Sequence, residues 1–453
     1  MTRRRCAPAF RGAGTLVSGK NQQVVADGAD TRWSLKEQSG AAAMEFPGIK
    51  TPNLQTIDFD RPIDRRGTAC CKWDFLPDCA KHAIPMSLAD MDFAAPNEVC
   101  EALVQRARHG VLGYTLMDAS DFAAICEWVE LRHGQALPAE WLLPTPGVVY
   151  AMRAAMAVMT RPGDRIVVQP PVHTPFFVTA SRFGRRLMMN PLVRSQSGRY
   201  EMDLDHLEGC FRSGASLLMI CSPHNPVGRV WTRRELEDLA GLCRGYDVRI
   251  ISDEIHRDIL LPGSQHVSIG MLPGMAERVV TVFSPTKTFN LGGFHIASAV
   301  IADASLRDAV RGRLADFGHS CGRPTLMSIV AQTAAYRHGG PWLDALLSYL
   351  DGNVSVALQA IDGLPIHAVR PEGTYMLWVD CRELGLDTDS LMRFLVEQAG
   401  IFPELGHIYE MADYASYHGP EHHVRLNLAM PRALLGTAME GLRRAVQEHA
   451  EIG

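Results

Sequence analysis

Residues 279–290 read VVTVFSPTKTFN, an apolar run followed at once by a polar turn that contains Lys287. The run 279–283 is apolar apart from Thr281, which is typical of a strand buried on both faces of a sheet. A lysine at the carboxyl end of such a strand lies where open α/β sheets bind their ligands. Taken alone, a solvated surface lysine is an equally good interpretation. Ser284 and Thr286 flank Lys287 at a spacing suited to hydrogen-bonding a phosphate.

Further apolar runs place this strand in an α/β domain. From about Pro96 onward, short β-branched runs alternate with helical periods, which predicts a mostly parallel mixed sheet sandwiched by helices. The stretch 232–244 reads as one of these helices, because Thr232 can cap its first turn and Glu235 completes a capping box. The other strand candidates are 165–169, 216–221, 249–252 and 296–301.

The two ends of the chain differ from this central region. Residues 1–45 are rich in arginine, glycine, alanine and serine, with no acid before Asp27, which predicts a disordered extension. The last part reads as a long helical segment from 324 to about 361, followed by strand-like runs at 375–379 and 424–428. We therefore expect an extension over 1–45, a segment over 46–95 that contributes to a small domain, a large domain over 96–323 and a small α+β domain over 324–453.

Composition narrows the classes of function. The 453 residues are 47% apolar and 21% charged, which excludes a disordered polymer and a membrane protein. The longest apolar run, 147–160, is interrupted by Arg153 and is shorter than the roughly 20 residues that cross a bilayer. A net charge of −5 is too mild to indicate nucleic acid or an anionic membrane as the main partner. A small-molecule substrate is the default.

The cysteines predict reduced thiols in the cytoplasm. Eleven are present, an odd number, and no two form a C-x-x-C pair. Cys70, Cys71 and Cys79 form the densest group, but they lack a second pair or matched histidines. We therefore predict no metal site.

The run 249–252 ends in Asp253, with His256 three residues further on. A carboxylate at the end of a buried strand is costly unless it meets a cation, and a protonated pyridine nitrogen would be such a cation. Acid and imidazole could then face one ligand. The competing interpretation is that Asp253 caps a following helix.

Two turns add weaker signals. Asn225, after the run 216–221, is followed by proline and then glycine, a tight turn that holds the amide rigidly but is also common in ordinary loops. Val148 and Val149 open a helix after a Pro-Gly pair, so their backbone N–H groups and the positive end of the helix dipole could hold a phosphate.

Together these pieces resemble the class I/II aminotransferases, enzymes of fold type I that use pyridoxal 5′-phosphate (PLP). The set comprises the helix start at Val148, the loop PPVHTPFF at 170–177, Asn225-Pro, Asp253 with His256, Ser284-x-Thr-Lys287 and Arg425-x-Asn427. The resemblance runs from about Phe46 to the C-terminus. Within the family, five strings are similar to the cystathionine β-lyase-type carbon–sulfur lyases: ADMDF (89–93), GYT (113–115), SDEIH (252–256), KTFNL (287–291) and RLNLAMPR (425–432).

The resemblance implies a role for each matched residue. Lys287 would form the Schiff base with PLP and move the Cα proton, and Asp253 would pair with the pyridinium. Asn225 and His256 would bind the phenolic oxygen of the ring. Arg425 would clamp the α-carboxylate of the substrate, for which a bidentate guanidinium is suited.

The resemblance also implies a phosphate site shared between subunits. The N–H groups of Val148 and Val149 would hold the phosphate together with the hydroxyls of Ser284 and Thr286. Tyr114 of the partner subunit would complete it, which predicts a homodimer with shared sites.

Two positions depart from the pattern. His173 stands where the subgroup usually has a tyrosine stacked on the PLP ring, and an imidazole covers less area and can titrate near neutral pH. His295 stands where aminotransferases usually carry a phosphate-binding arginine, so hydroxyls and backbone should bear more of the phosphate binding.

We therefore expect a PLP-dependent β-lyase that cleaves an L-cysteine S-conjugate or a cystathionine-like amino acid to a thiol, a keto acid (pyruvate for a cysteine conjugate) and ammonia. An aminotransferase is the alternative, since it would use the same residues. A catalytically idle regulator with this fold is a third possibility. The joint presence of Lys287, Asp253 and Arg425 argues against it, because an idle site needs no complete electron sink.

Overall fold

The computed structural model describes residues 57–317, 323–409 and 420–452; the extension expected over 1–45 lies outside them. The strands are β1 (Ile84–Pro85), β2 (Leu142–Thr145), β3 (Arg165–Val168), β4 (Arg186–Met189), β5 (Val193–Arg194), β6 (Tyr200–Glu201), β7 (Ala215–Cys221), β8 (Arg249–Asp253), β9 (Val279–Phe283), β10 (Ala297–Val300), β11 (His367–Ala368), β12 (Met376–Asp380), β13 (Ile401–Phe402), β14 (Glu404–Leu405) and β15 (His423–Asn427).

The helices alternate with these strands through the middle of the chain. They are α1 (Cys71–Asp74), α2 (Asn97–Arg108), α3 (Ala119–His133), α4 (Val148–Met159), α5 (Pro175–Arg182), α6 (Leu204–Arg212), α7 (Arg233–Gly245), α8 (Pro285–Thr288), α9 (Ala304–Ala315), α10 (Leu326–His338), α11 (Gly340–Ile361), α12 (Thr388–Glu397) and α13 (Arg432–Ile452). None of the helices within the described residues is long and apolar enough to span a membrane.

A seven-stranded sheet forms the centre of the large domain. Its order is β2-β10-β9-β8-β7-β3-β4. The pairs from β4 through β9 are parallel, whereas β10 runs antiparallel to both of its neighbours. The predicted mostly parallel mixed sheet is therefore confirmed.

Both faces of this sheet are covered, as its continuous apolar strands predict. In β7, Leu217 and Met219 pack in one buried cluster with residues of α4, whereas Leu218 and Ile220 pack in another with residues of α7. Successive side chains of a strand point to opposite faces, so a strand covered on both sides is apolar at every position. The capping box of α7 is also confirmed: Thr232 accepts from the Glu235 N–H at 3.3 Å, and Glu235 accepts from the Thr232 N–H at 2.8 Å.

A second sheet, with the antiparallel order β11-β12-β15-β14, lies in the C-terminal part of the chain. The segment before α2 joins this part, because Ile84 and Pro85 of β1 pair in parallel with Ile401 and Phe402 of β13.

The long helical segment expected from 324 to about 361 is helical, and it consists of two helices, α10 and α11, with Gly339 between them. A Cβ atom at Gly339 would lie 2.4 Å from the ring of Phe289 and 2.6 Å from the carbonyl oxygen of Ala335. The junction packs too closely for a larger residue. Helical periodicity could not predict this break, because the apolar residues of both helices recur at the same helical spacing.

Most predicted strand boundaries shift by one residue. The run at 279–283 is confirmed as β9, whereas the run at 296–301 shortens by a residue at each end in β10. The run at 424–428 becomes His423–Asn427 in β15, and the run at 249–252 extends to Asp253 in β8. Asp253 is therefore the last residue of this strand.

Candidate active site

Three neighbouring parallel strands end side by side and build the floor of the site. Cys221 of β7 pairs with Asp253 of β8, and Asp253 pairs with Val282 of β9. The turns that follow these strands carry Asn225, His256 and Lys287. Since parallel strands share their carboxyl edge, the register alone brings these three segments together.

Lys287 points to the segment that precedes α2. Its Nζ donates a hydrogen bond to the carbonyl oxygen of Ala89 at 2.5 Å, and the hydroxyl of Tyr375 donates to the same oxygen at 3.1 Å. Burial, and then the charge of Arg425, lower the pKa of Lys287 to about 8. A lysine with this pKa has a substantial neutral fraction near neutral pH, which a base or nucleophile needs.

Two asparagines hold residues 88–93 over Lys287. The amide of Asn290 donates to the carbonyl oxygens of Met91 and Phe93 at 3.0 and 2.7 Å, and its Oδ1 accepts from the Met91 N–H at 3.1 Å. Asn427 donates to two carbonyl oxygens of the same segment at 2.6 and 2.7 Å. The strings 89–93, 287–291 and 425–432 are thus parts of one structural unit.

Asp253 has a buried carboxylate that accepts from the Ile255 N–H at 3.1 Å. Burial, reinforced by the charge of Glu254, raises the pKa of Asp253 to about 7. The interpretation of Asp253 as a helix cap is wrong, because the chain continues in turns as far as a short 3-10 helix at Ile269–Met271. A buried carboxylate with a raised pKa fits a cationic ligand nitrogen, because the positive charge would return the pKa of Asp253 to its ordinary value.

Arg425 of β15 reaches the same site from the second sheet. Its Nη1 donates to Asn225 Oδ1 at 3.0 Å, and its Nη2 donates to the carbonyl oxygen of Ser87 at 2.6 Å and pairs with Glu404. Its Nε is buried and has no hydrogen-bond partner among the described residues. A buried N–H without an acceptor is costly, so the guanidinium fits an anionic ligand such as an α-carboxylate.

His256 and His173 are neutral in this environment. Burial lowers the pKa of His256 well below its ordinary value, and the charges of Lys287 and Arg425 act in the same direction. Burial, and then Arg425, lower the pKa of His173 to about 3. His173 therefore does not titrate near neutral pH here, although an imidazole in general can. The buried Nδ1 of His256 has no partner among the described residues, which fits a hydrogen bond to a ligand.

The two hydroxyls beside Lys287 are joined to each other. The oxygens of Ser284 and Thr286 lie 2.9 Å apart, and Ser284 donates to the carbonyl oxygen of Ile296 at 2.6 Å. Because Ser284 gives its one proton to Ile296, Thr286 donates the hydrogen bond between the two hydroxyls. Its proton is the one that can turn from Ser284 to a phosphate.

The helix start predicted to bind phosphate lies close to these hydroxyls. β2 leads into α4, and Thr145 of β2 pairs with Ala297, which follows the acceptor of Ser284. Gly147 adopts φ 152°, a conformation that residues with a Cβ rarely take, and α4 begins at Val148, with Val149 next. The first N–H groups of a helix have no partner within it, so they are available to an anion.

Tyr114 of the predicted phosphate site, and His295 at the position of the missing arginine, are both open to solvent. Tyr114 is fully exposed in the single chain, and His295 is exposed as well. Neither contacts the cluster around Lys287 within this chain. The geometry of one chain thus supplies Val148, Val149, Ser284 and Thr286 but not the tyrosine.

Asp258 stabilises the turn that contains Lys287, and this role was not predicted from the sequence. It is buried and accepts from Thr288, the residue after Lys287, at 2.8 Å. It also accepts from the Nε1 of Trp128 at 3.2 Å and lies 2.8 Å from the Nε2 of His133. A signal was present in the sequence, since Asp258 follows His256 by two residues.

Glu404 and Tyr409 complete the cluster around Arg425 and were also missed. The hydroxyl of Tyr409 donates to Glu404 Oε2 at 2.6 Å, and the Tyr409 ring lies 5.4 Å from the guanidinium carbon of Arg425. The only local signal is an acid in the otherwise apolar run 401–405.

Known proteins are similar to this chain in both sequence and architecture. A family model described as aminotransferase class I and II matches residues 81–442. Cystathionine beta-lyase PatB of Bacillus subtilis (strain 168) is 36% identical over 394 residues, covering 86% of this chain and 98% of PatB. Protein MalY of Escherichia coli (strain K12) is 32% identical over 403 residues, covering 86% of this chain and 99% of MalY. The solved structure of cystalysin from Treponema denticola, which contains PLP, has a TM-score of 0.81 at 30% identity, covering 87% of this chain and 99% of cystalysin.

The chain belongs to the class I and II aminotransferase family. The predicted family and the predicted fold class are both confirmed. Within the family the chain is of the PatB and MalY type, the carbon–sulfur lyase subgroup that the five quoted strings predicted.

Proposed function

We propose that the protein is a PLP-dependent carbon–sulfur β-lyase that acts on an L-cysteine S-conjugate or a cystathionine-like amino acid. The observation that carries the proposal is the meeting of Lys287, Asp253 and Arg425 in one buried cluster. A partly neutral lysine, a carboxylate in need of a cation and a guanidinium with a free N–H match three parts of one ligand and substrate. The similarity to PatB, which is named a cystathionine beta-lyase, supports the choice of reaction.

The residues present fit PLP. When bound, PLP supplies an electron sink for the electron pair left on the substrate Cα. The residues that would hold it are Lys287 through its amine, Asp253 at the pyridine nitrogen, Asn225 and His256 at the phenolic oxygen, His173 against the ring, and, at the phosphate, Val148, Val149, Ser284, Thr286 and Tyr114 of the partner subunit.

The chain's own groups then do three tasks. Arg425 binds the α-carboxylate of the substrate and so orients the substrate. The carboxylate gives the buried Nε of Arg425 a hydrogen-bond acceptor. Lys287, in its neutral form, removes the proton from Cα. The bond between Cβ and sulfur then breaks, and its electron pair leaves with the thiolate. With one water, the substrate yields a thiol, a keto acid and ammonia.

The test separates a lyase from an aminotransferase. The holoenzyme receives an L-cysteine S-conjugate or cystathionine without a keto acid, and free thiol, pyruvate and ammonia are measured. We expect equimolar release over many turnovers, and its loss together with the visible absorption band in Lys287→Ala. A single turnover that resumes only when a keto acid is added would identify an aminotransferase. Absorption without any turnover would favour the idle regulator.

The same proposal covers the oligomeric state, the cellular location and the domain organisation of the enzyme. The exposed Tyr114 supports a homodimer in which each subunit completes the phosphate site of the other. The cysteines support a cytoplasmic location: Cys221, Cys243 and Cys381 are free and buried. We also propose that residues 96–323 form the PLP-binding domain and that residues 46–95 and 324–453 form the small one.

A further inference from the structure

Glu404 places a second carboxylate beside the substrate arginine, and the proposed lyase chemistry gives it no task. It lies in β14 directly opposite Arg425 of β15 and forms an ion pair with it. Tyr409 donates to it at 2.6 Å. The side chain of Glu404 is 27% exposed and that of Arg425 is 3% exposed, so Glu404 is the member of the pair that solvent and ligands can reach.

One oxygen of Glu404 remains available. Both Arg425 and Tyr409 contact Oε2, so Oε1 has no hydrogen-bond donor among the described residues. The charge of Glu404 also extends to the reacting end of the site, because it is one of the charges that oppose the lowering of the pKa of Lys287. Glu404 therefore contacts the carboxylate clamp directly, and its charge also acts on the catalytic amine.

Around the guanidinium of Arg425, two carboxylates face one cation once a substrate binds. Glu404 already balances the single positive charge of Arg425. The substrate α-carboxylate adds a second anion to the same guanidinium, and two neighbouring carboxylates repel each other. A cation on the sulfur-linked part of the substrate would restore the balance and could donate to Oε1. A neutral or anionic group would leave the charge of Glu404 uncompensated.

We infer that Glu404 is a specificity-determining residue that selects S-conjugates whose sulfur-linked group carries a positive charge. The inference rests on the proposed function, since it concerns the thiol that leaves. It extends that function by naming the chemical class of the leaving group, an aminothiol or another cationic thiol.

The experiment compares three conjugates of similar size on the holoenzyme: S-(2-aminoethyl)-L-cysteine, S-(2-hydroxyethyl)-L-cysteine and S-carboxymethyl-L-cysteine. Dissociation constants come from the change in the PLP absorption band, and kcat/KM comes from thiol release. We expect the aminoethyl conjugate to be preferred over the hydroxyethyl one by about tenfold or more, as for a hydrogen bond between charged groups, with the carboxymethyl one last. In Glu404→Gln this preference should disappear in both measurements.

Two further variants serve as controls. Glu383→Gln removes a carboxylate whose partner is His367 on the protein surface, and it should keep the preference. Glu404→Met keeps the side-chain length without the charge, and it replaces Glu404→Gln if that variant fails to fold.

The outcomes separate this inference from the lyase proposal. An equal loss of affinity for all three conjugates in Glu404→Gln would mean that Glu404 only orients Arg425, and it would overturn the inference. Equal use of the three conjugates by the wild type would do the same. If the wild type prefers the aminoethyl conjugate in binding but releases no thiol, the selectivity of Glu404 stands and the lyase proposal fails.

Discussion

Asp253 is a carboxylate whose hydrogen-bond donor among the described residues is one backbone N–H, and burial raises its pKa from 3.8 to about 7. A folded-state pKa above the unfolded one means that stability is fully present below pH 3.8 and is lost as the pH rises through 7. In the apoprotein this cost is on the order of 4 kcal/mol at pH 8. A bound pyridinium would remove it by pairing with the carboxylate.

We therefore expect apo Asp253→Asn to be more stable than the wild-type apoprotein at pH 8, by a few kcal/mol. The difference should shrink toward zero as the pH falls below 3.8, where Asp253 is protonated in both the folded and the unfolded state. Urea unfolding of both apoproteins at equal concentration measures it. A gap that does not change with pH would show that Asp253 is already paired without the cofactor.

His173 is neutral at physiological pH, so its proposed contribution to the cofactor is ring contact rather than charge. We expect His173→Tyr to bind PLP at least as tightly, because the phenol offers more aromatic area. His173→Ala should weaken PLP binding by about 2- to 12-fold, equivalent to the roughly 0.5–1.5 kcal/mol of an aromatic pair. Fluorescence titration of the apoprotein with PLP measures both variants. Loss of binding in His173→Tyr alone would reveal a polar role for the imidazole.

At the scale of elements, the junction between α10 and α11 is packed against the lysine turn. A Cβ at Gly339 would overlap the ring of Phe289, which lies two residues after Lys287. We expect Gly339→Ala to lower the free energy of unfolding by about 1–3 kcal/mol, the usual cost of overpacking.

Gly241→Ala is the matched control for that change. Gly241 lies on the exposed side of α7, and its nearest atom, in the side chain of Arg244, is 4.0 Å from an added Cβ. Because alanine favours helix over glycine, this variant should gain about 0.5–1 kcal/mol. Thermal or urea unfolding of the two variants should thus move in opposite directions. Equal shifts of one sign would mean that the junction has room for a side chain.

The stretch around Tyr114 exposes several large apolar side chains on the surface of the single chain. Val111, Leu112 and Leu116 are 65%, 58% and 63% exposed, and Tyr114 is fully exposed. Contiguous exposed apolar residues mark interaction sites, which agrees with a homodimer whose partner covers this stretch. Sedimentation should therefore detect a dimer.

Mixed dimers test whether the sites are shared. We expect Lys287→Ala and Tyr114→Ala to be poorly active alone at limiting PLP. Mixing them under conditions of subunit exchange should restore up to roughly a quarter of wild-type activity, because half of the dimers are hybrids with one intact site. No recovery, with hybrids present, would place Tyr114 in the site of its own subunit.

Local signals in the sequence were enough to predict the sheet, the family and most of the floor of the site. These features depend on signals within a few residues: a run such as 279–283, a capping box, or an acid at the end of a strand. Lys287 and Asp253 follow directly from the strands that precede them.

Contacts between distant segments could be seen only in the folded chain. Glu404 meets Arg425 because two strands of the second sheet pair, and Asp258 meets Thr288 across two turns. The protonation of His173 depends on how deeply the site is buried. The break at Gly339 depends on where Phe289 lies. Each of these features depends on packing between segments that are far apart in the sequence. Periodicity and short motifs describe only neighbouring residues, so they could not predict these features.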